Sequence, residues 1–278
     1  MASCIYLIAL PLAYGYLLPD GITAEQILWL AASGFVGLVL GDGAGFKALV
    51  MIGPRLTTLL WATAPIMTTV IAWFLLDEQL HMIDLLGIAL AVGGIAWVIS
   101  ERQYKTSPKQ AIAADHPDAG TLFKGVLLGL VAALGQAAGL VMSKHAMLNF
   151  GSTIEAMPAS FIRIGASMLF IWTITAFRGK LPSVIAAMKE RPAMLFSFGG
   201  ALMGPFLGVW LSLVAVQYIE AGFAATLNSL TPILIIPLVI GIYKEKVSPR
   251  AVIGAVVAFV GVALLFLGED VSRFFQSH

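Results

Sequence analysis

The chain has 278 residues, of which 59% are hydrophobic and only 11% are charged, and its mean hydropathy is +0.94. A soluble domain carries about 25% charged residues, so this composition predicts an integral membrane protein. The net charge of +1 argues against a nucleic-acid-binding protein, which needs a basic surface. Cys4 is the single cysteine, which excludes an internal disulfide and a multi-cysteine metal site.

Nine charge-poor runs predict membrane-spanning helices. A spanning helix needs about 20 mostly apolar residues, because lipid offers no partner for backbone polar groups. The predicted spans are 1–19, 26–41, 56–76, 85–100, 125–143, 164–177, 192–219, 221–243 and 251–268. The runs are continuous and not alternating, which is typical of helices and not of barrel strands. We therefore expect an all-α integral membrane protein, a helical bundle of nine transmembrane helices.

Two polar stretches interrupt these runs. Residues 101–123 are polar and contain two prolines, so they predict a linker between two halves of the chain. Residues 178–191 mix basic and apolar side chains. That pattern fits a short helix lying in the headgroup region, and a plain polar loop is the alternative.

The distribution of Lys and Arg predicts the orientation, since cytoplasmic loops retain positive charge. Thirteen of these residues fall on one side of the predicted membrane, while Lys144 and Arg273 fall on the other. We expect the protein in the inner or plasma membrane, with the 101–123 linker in the cytoplasm and the C-terminus outside.

The chain contains an internal repeat. When Pro65 is placed on Pro232, the first part of the sequence superposes on the second without a gap, and Glu78 falls on Glu245. The charge count puts corresponding loops on opposite sides of the membrane. This predicts two inverted repeats, an architecture in which a site forms near the midplane. The expected boundaries are 1–100 for the first repeat, 101–123 for the linker and 124–268 for the second repeat.

The two repeats differ in helix number. The second has five predicted spans and the first has four, because the counterpart of 125–143 is absent. Either the start codon assigned to this chain is too far downstream, or the chain is a natural truncation. We favour the first explanation, since an inverted repeat needs an odd number of helices in each half. Five plus five helices are then expected for the complete fold.

A series of short motifs resembles the drug/metabolite transporter (DMT) superfamily, specifically its EamA-type branch of ten-helix proteins. The motifs that carry the resemblance run in the same order in both halves and cover essentially the whole chain: Gly41-Asp42-Gly43, Lys47-Ala48-Leu49, Ile52-Gly53-Pro54, Ala64-Pro65 and Asp77-Glu78, then Thr231-Pro232 and Lys244-Glu245. The family pattern has Gly-Glu where this chain has Asp77-Glu78 and Lys244-Glu245. The resemblance implies movement of small metabolites across the inner or plasma membrane, by export or exchange.

Asp42 is the leading candidate for a functional ionisable residue, because charged side chains within spans are costly. It is expected about one turn inside the cytoplasmic end of its helix. The glycines on either side of it allow a neighbouring helix or a ligand to approach the backbone closely. Asp42 could bind a substrate amine or a proton. Alternatively, it pairs with Lys47 or caps a neighbouring helix.

Two basic residues are expected near the outer ends of their spans. Arg163 could hold a substrate carboxylate through both guanidinium nitrogens, or it could extend outward to water. Lys144, at the end of the preceding helix, is expected to be solvated.

A cluster of neutral polar and aromatic residues flanks the two prolines related by the repeat. Proline removes a helical hydrogen bond and exposes a carbonyl, so both helices are expected to bend near midspan. The substrate-binding residues predicted at this level, with Arg163, are Trp61, Thr63, Gln136, Trp210, Asn228 and Ser229. Each residue taken singly is better explained by an interhelical hydrogen bond. As a cluster on helices related by the repeat, they favour a binding site.

Two further patterns favour structural roles. The rows Ser33-Gly37-Gly41-Gly45 and Gly200-Gly204-Gly208 have the four-residue spacing that allows close helix packing. Glu78 and Glu245 lie at helix ends in short connections, where each is expected to cap the next helix.

These observations favour a secondary transporter over the other classes. No nucleotide-binding motif is present, so a gradient or an exchange must supply the energy. A membrane enzyme would need convergent catalytic groups that the chain lacks, and no His, Cys and carboxylate spacing resembles a metal site. The remaining alternative is a truncated, non-transporting membrane protein or assembly partner. We expect a small-molecule substrate such as an amino acid, no cofactor, and a monomer or homodimer in the lipid bilayer.

Overall fold

The computed structural model describes residues 1–78, 81–101, 118–231, 233–234 and 249–276, and every regular element in these ranges is helical. This confirms the predicted all-α class. Most of the predicted linker (102–117), the second half of the predicted span 221–243, and the motif residues Pro232, Lys244 and Glu245 lie outside the described residues.

Twelve helices and two π-helical turns make up the described chain. The first half has α1 (Ala2–Tyr14), α2 (Ala24–Gly34), π1 (Phe35–Gly41), α3 (Asp42–Trp61), α4 (Ala64–Leu76) and α5 (Met82–Glu101). The second half has α6 (Ala119–Leu148), α7 (Ala156–Phe177), α8 (Leu181–Ala187), α9 (Arg191–Ala201), π2 (Leu202–Gly208), α10 (Val209–Tyr218), α11 (Ala221–Ser229) and α12 (Pro249–Gln276).

Five stretches of the described chain are long and apolar enough to cross a membrane: Ala24–Pro54, Leu56–Leu76, Ala119–Leu148, Ala156–Phe177 and Arg191–Tyr218. Shorter apolar helices cover Ala2–Tyr14, Met82–Val98 and Val252–Leu265. The protein is therefore a multi-pass membrane protein.

Several predicted span boundaries were wrong. The span predicted to end at 41 continues to Pro54, because the helix passes through π1 into α3 and breaks only at Gly53, whose φ is 77°. The span predicted over 1–19 is helical only to Tyr14, where Gly15 ends the helix with a φ of 76°. Within 178–191, Leu181–Ala187 forms a short helix, which confirms the helical alternative over a plain loop.

The chain divides into two compact units. The first unit comprises Met1–Leu40 and Ala138–Ile219, and the second comprises Gly41–Ala137 and Glu220–His278. Each unit therefore takes segments from both halves of the sequence.

The first unit packs α1 and α7 around the π2 turn. Tyr6 is fully buried among apolar side chains that include Ile164 and Phe206, and its hydroxyl donates a hydrogen bond to the Phe206 carbonyl at 2.9 Å. The start of α2 is anchored by Gln26, which forms a capping box with Thr23 and donates to the Ser152 carbonyl at 2.7 Å. These contacts satisfy polar groups that lipid could not.

The second unit is organised by a close crossing of α5 and α12. A Cβ on Gly94 would lie 2.5 Å from the Ala258 nitrogen and 2.6 Å from the Gly254 carbonyl oxygen, and one on Gly261 would overlap the Ala91 backbone. Only glycine at these positions lets the two backbones approach so closely.

Element bounds follow the same offset as the sequence repeat, which places Pro65 on Pro232. At that offset the first residue of α2 falls on the first residue of α9, the start of π1 on the start of π2, and the start of α5 on the start of α12. The two π-helical turns also have the same length. The repeat therefore preserves backbone irregularities as well as residue types.

The two predicted glycine rows behave differently. In the first row, Gly37 and Ser33 lie against Gly139 of α6, and Gly45 lies against Trp61. In the second row, a Cβ on Gly200 or Gly204 would meet nothing within 4 Å. The close-packing interpretation is thus wrong for Gly200-Gly204-Gly208, because all three glycines are exposed on their helix.

Candidate functional site

Asp42 is the first residue of α3, directly after the π1 turn. Its predicted position near the cytoplasmic helix end was wrong, because the span Ala24–Pro54 continues well beyond it. At about 1.5 Å per residue, Asp42 lies roughly 18 Å along the helix axis from Pro54. A carboxylate therefore lies near the middle of a membrane-spanning helix, where a charge is most costly.

Gln136 of α6 donates a hydrogen bond from its side-chain amide to the Asp42 carboxylate. Both side chains are half-buried and both belong to the second unit. The predicted alternative, an ion pair between Asp42 and Lys47, does not form, although the structure describes both residues. Lys47 is exposed on α3.

Glycines on α6 bring Gln136 within reach of Asp42. A Cβ on Gly125 would overlap Ile52, and a Cβ on Gly129 would overlap Leu60, so both glycines let α6 lie close against the α3 segment. Gln136 follows Gly129 by about two helical turns and lies on the same face of α6. The position of Gln136 next to Asp42 thus depends on the glycines of this face of α6.

Trp61 and Thr63 lie where the second span breaks. The helix α3 ends at Trp61 and α4 begins at Ala64, with Pro65 at its second position, so the helix is interrupted just before this proline. The Thr63 hydroxyl donates to the Leu60 carbonyl at 2.6 Å.

The Trp61 indole packs directly on α3. A Cβ on Gly45 would lie 2.5 Å from Cζ2 of the indole, so the ring occupies the space that glycine leaves. The buried Nε1 of Trp61 has no hydrogen-bond partner among the residues that the structure describes. Gly45 lies one turn after Asp42, on the same face of α3, so the structure brings Trp61 into the Asp42 region.

Asn228 and Ser229 lie at the end of α11. Asn228 is exposed, and Ser229 donates to the Ala225 carbonyl one turn earlier, at 2.9 Å. Neither makes a described hydrogen bond to Asp42, Gln136 or Trp61. Their relation to a bend at Pro232 lies outside the described residues.

Arg163 is the centre of a buried polar chain in the first unit. It is 3% exposed, and its Nη1 donates to the Ser143 hydroxyl at 3.0 Å. The Ser143 hydroxyl lies 3.0 Å from that of Ser33 and 2.7 Å from the Gly139 carbonyl. The guanidinium therefore points into the protein, and the predicted alternative of an outward side chain is wrong.

Trp210 of α10 lies elsewhere in the first unit, with its ring 6.2 Å from that of Phe206. Ser33 belongs to the polar chain around Arg163, and sequence reasoning assigned it only to a packing row. A lone serine in an apolar helix carries no signal of its partner, since it can bond its own helix.

Two charged residues form hydrogen bonds to helix ends that the sequence did not predict as their partners. Glu78 was predicted to cap the next helix, α5, but its carboxylate accepts from the backbone nitrogen of Ala221 at the start of α11. Lys144 was predicted to be a solvated helix end, but α6 continues to Leu148 and the Lys144 ammonium donates to the Ile219 carbonyl at 2.7 Å.

Comparisons with known proteins agree with this architecture. The model of the EamA-like transporter family matches residues 1–100 and 123–267. One solved structure, described only as the crystal structure of a protein, superposes on this chain with a TM-score of 0.66 and 17% sequence identity. The match covers 96% of this chain and 84% of the other chain, which shows that the two share a fold. A comparison with curated proteins gave no match. The chain belongs to the EamA-like transporter family and is a multi-pass membrane transporter of the DMT type.

Proposed function

We propose that this chain is a secondary transporter that moves a small zwitterionic or neutral metabolite, such as an amino acid or its derivative, across the cell membrane by alternating access. A proton gradient drives the movement, and substrate exchange is the alternative energy source. The observation that carries the proposal is the Asp42 carboxylate, which lies in the middle of a span and is hydrogen-bonded to Gln136.

Asp42 is suited to couple transport to protons. A carboxylate that loses contact with water favours its protonated form, and one that regains water favours its charged form. Transport exposes a midspan residue to the two sides of the membrane in turn, so Asp42 would take up a proton on one side and release it on the other. Val209 occupies the corresponding position in the second repeat, so the repeat itself does not require an acid here.

The substrate class follows from the polar residues of each unit. The second unit offers the Asp42 carboxylate together with Trp61, Thr63, Asn228 and Ser229, which suits an ammonium or a neutral polar group. The first unit offers Arg163 and the aromatic Trp210, which suit a carboxylate and an apolar side chain.

A phosphorylated substrate fits these residues less well. Phosphate recognition favours clustered Arg or Lys side chains with bidentate geometry. Among the Arg and Lys residues whose side chains the structure describes, Arg163 alone is buried. One buried cation supports a carboxylate ligand better than a phosphate.

Vesicle transport tests the proposal. The purified protein, reconstituted in liposomes with an imposed proton gradient, is assayed for uptake of a panel of labelled amino acids and of a labelled sugar phosphate. We expect uptake of at least one amino acid above that of protein-free liposomes, with little of the sugar phosphate. Preferential uptake of the sugar phosphate would overturn the substrate class.

A further inference from the structure

The chain passes from one compact unit to the other at three places: between Leu40 and Gly41, between Ala137 and Ala138, and between Ile219 and Glu220. The first lies inside the π1 turn and the second inside α6. The third is different, because Ile219 (φ −128°, ψ 168°) and Glu220 (φ −59°, ψ 145°) are extended residues between two helices. The Ile219 nitrogen still donates to the Ala215 carbonyl of α10, and the Glu220 carbonyl accepts from the Ala224 nitrogen of α11. The ψ angle of Ile219 and the φ angle of Glu220 lie between these two helical hydrogen bonds, so a change in torsion at this connection falls on these two angles.

The first unit holds its own end of this connection through Lys144. The Lys144 ammonium of α6 donates to the Ile219 carbonyl at 2.7 Å, and both residues belong to the first unit. The Ile219 carbonyl lies at the C-terminal end of α10, where the helix dipole favours a positive charge. Lys144 therefore stabilises the last turn of α10 against fraying.

The second unit holds the other end through Glu78. The two carboxylate oxygens of Glu78 lie 3.2 and 3.1 Å from the Ala221 nitrogen, at the N-terminal end of α11, where the dipole favours a negative charge. The next residue, Gly222, packs so closely on α4 that a Cβ there would overlap the Thr69 hydroxyl. The first turn of α11 is therefore fixed to α4 within the second unit.

We propose that Ile219–Glu220 is a hinge of the transport cycle, and that Lys144 and Glu78 are positioning residues that concentrate the change in torsion at this connection in these two residues. Each unit holds its own helix end rigid, so a change in backbone torsion is concentrated between the two held ends. The proposal rests on the transport function proposed above, because alternating access is what the hinge serves.

A proline at position 220 tests the hinge. The φ of Glu220 matches the value that proline imposes, and the extended Ile219 suits the residue before a proline. Glu220→Pro therefore keeps the described conformation but restricts both torsions around the connection. Glu220→Ala is the matched control, because it removes the same side chain and leaves the backbone free.

The first readout is the distance between two spin labels, which requires no knowledge of the substrate. Labels are attached to Thr153→Cys of the first unit and Met82→Cys of the second, both exposed, after Cys4→Ser removes the native cysteine. In lipid nanodiscs we expect two distance populations in the parent and in Glu220→Ala, and one in Glu220→Pro. Identical distributions in the alanine and proline variants would overturn the hinge.

The second readout is transport in liposomes. We expect Glu220→Pro to lower the transport rate about tenfold relative to Glu220→Ala with an unchanged half-saturation concentration, since a conformational step is slowed and binding is not. If the parent carries no amino acid while proline still removes one distance population, the substrate proposal fails and the hinge stands. If the parent transports and both variants match it, the hinge fails.

The positioning role is tested by Glu78→Ala and Lys144→Met. Hydrogen–deuterium exchange should increase at the first amides of α11 in the former variant and at the last turn of α10 in the latter. Both variants should broaden the label distances, and Lys144→Arg, which keeps the charge and a donor, should restore the parent's exchange and distances. Unchanged exchange and distances in Glu78→Ala and Lys144→Met would remove the positioning role.

Discussion

The side-chain amide of Gln136 donates a hydrogen bond to the carboxylate of Asp42, 94 residues earlier in the chain. Asp42 lies just after the point where the first long span enters the second unit, and Gln136 lies just before the point where α6 leaves it. Both residues belong to the second unit, so the bond joins the span Ala24–Pro54 to α6 within that unit. A change in the charge of Asp42 acts directly on this hydrogen bond.

The crossing of α5 and α12 is predicted to tolerate no side chain at Gly94. Gly94→Ala should lower the free energy of unfolding by about 1–3 kcal/mol, because the added carbon meets backbone atoms that cannot move aside. Gly93→Ala is the matched control, since a Cβ there meets nothing within 4 Å. That variant should be unchanged or slightly more stable, because alanine is the better helix former. Thermal unfolding in detergent measures both, and equal melting temperatures would refute the close crossing.

The polar chain around Arg163 is predicted to stabilise the first unit. Ser143→Ala removes the hydroxyl that accepts from Arg163 and should cost about 1–3 kcal/mol, because a buried charged donor loses a partner. Ser212→Ala removes a hydroxyl that bonds the Gly208 carbonyl one turn earlier, at 2.8 Å, and should be nearly neutral. Denaturation in detergent compares the two variants. Equal stability of both would show that the Arg163 contact contributes nothing.

The orientation of the chain is predicted from its basic residues. An alkaline phosphatase fused after His278 should be active and a fluorescent protein at the same position dark, because the C-terminus is expected outside the cell. The same reporters inserted in the 102–117 segment should give the opposite pattern. A fluorescent C-terminal fusion with inactive phosphatase would reverse the assigned topology.

Much of the fold was predictable because local sequence patterns determine it. Long apolar runs identified the spans, and the offset of the internal repeat anticipated the matching starts of α2 and α9 and of the two π-helical turns. Pro65 marked the break between α3 and α4, since proline cannot continue a helix from the preceding turn.

Other features needed the tertiary structure. The charge of Asp42 suggested that the span ends at residue 41, yet the helix continues beyond it. The Gly53-Pro54 dipeptide, a turn signal that was available in the sequence, marks the actual break. The Asp42–Gln136 bond joins residues far apart in sequence, and no periodic pattern encodes such a pair. The same holds for Glu78, whose partner Ala221 lies on a helix distant in the chain.

The most direct test of the account is the pH dependence of transport in Asp42→Asn, which keeps the side-chain volume and removes the titration. Asp77→Asn is the control, because Asp77 is an exposed acid at the end of α4 and its left-handed backbone (φ 53°) suits asparagine. Uptake of the transported amino acid is measured across a pH series with and without a proton gradient. The account predicts that the parent and Asp77→Asn respond to the gradient while Asp42→Asn keeps only gradient-independent exchange. An Asp42→Asn protein with the parent's pH dependence would contradict it.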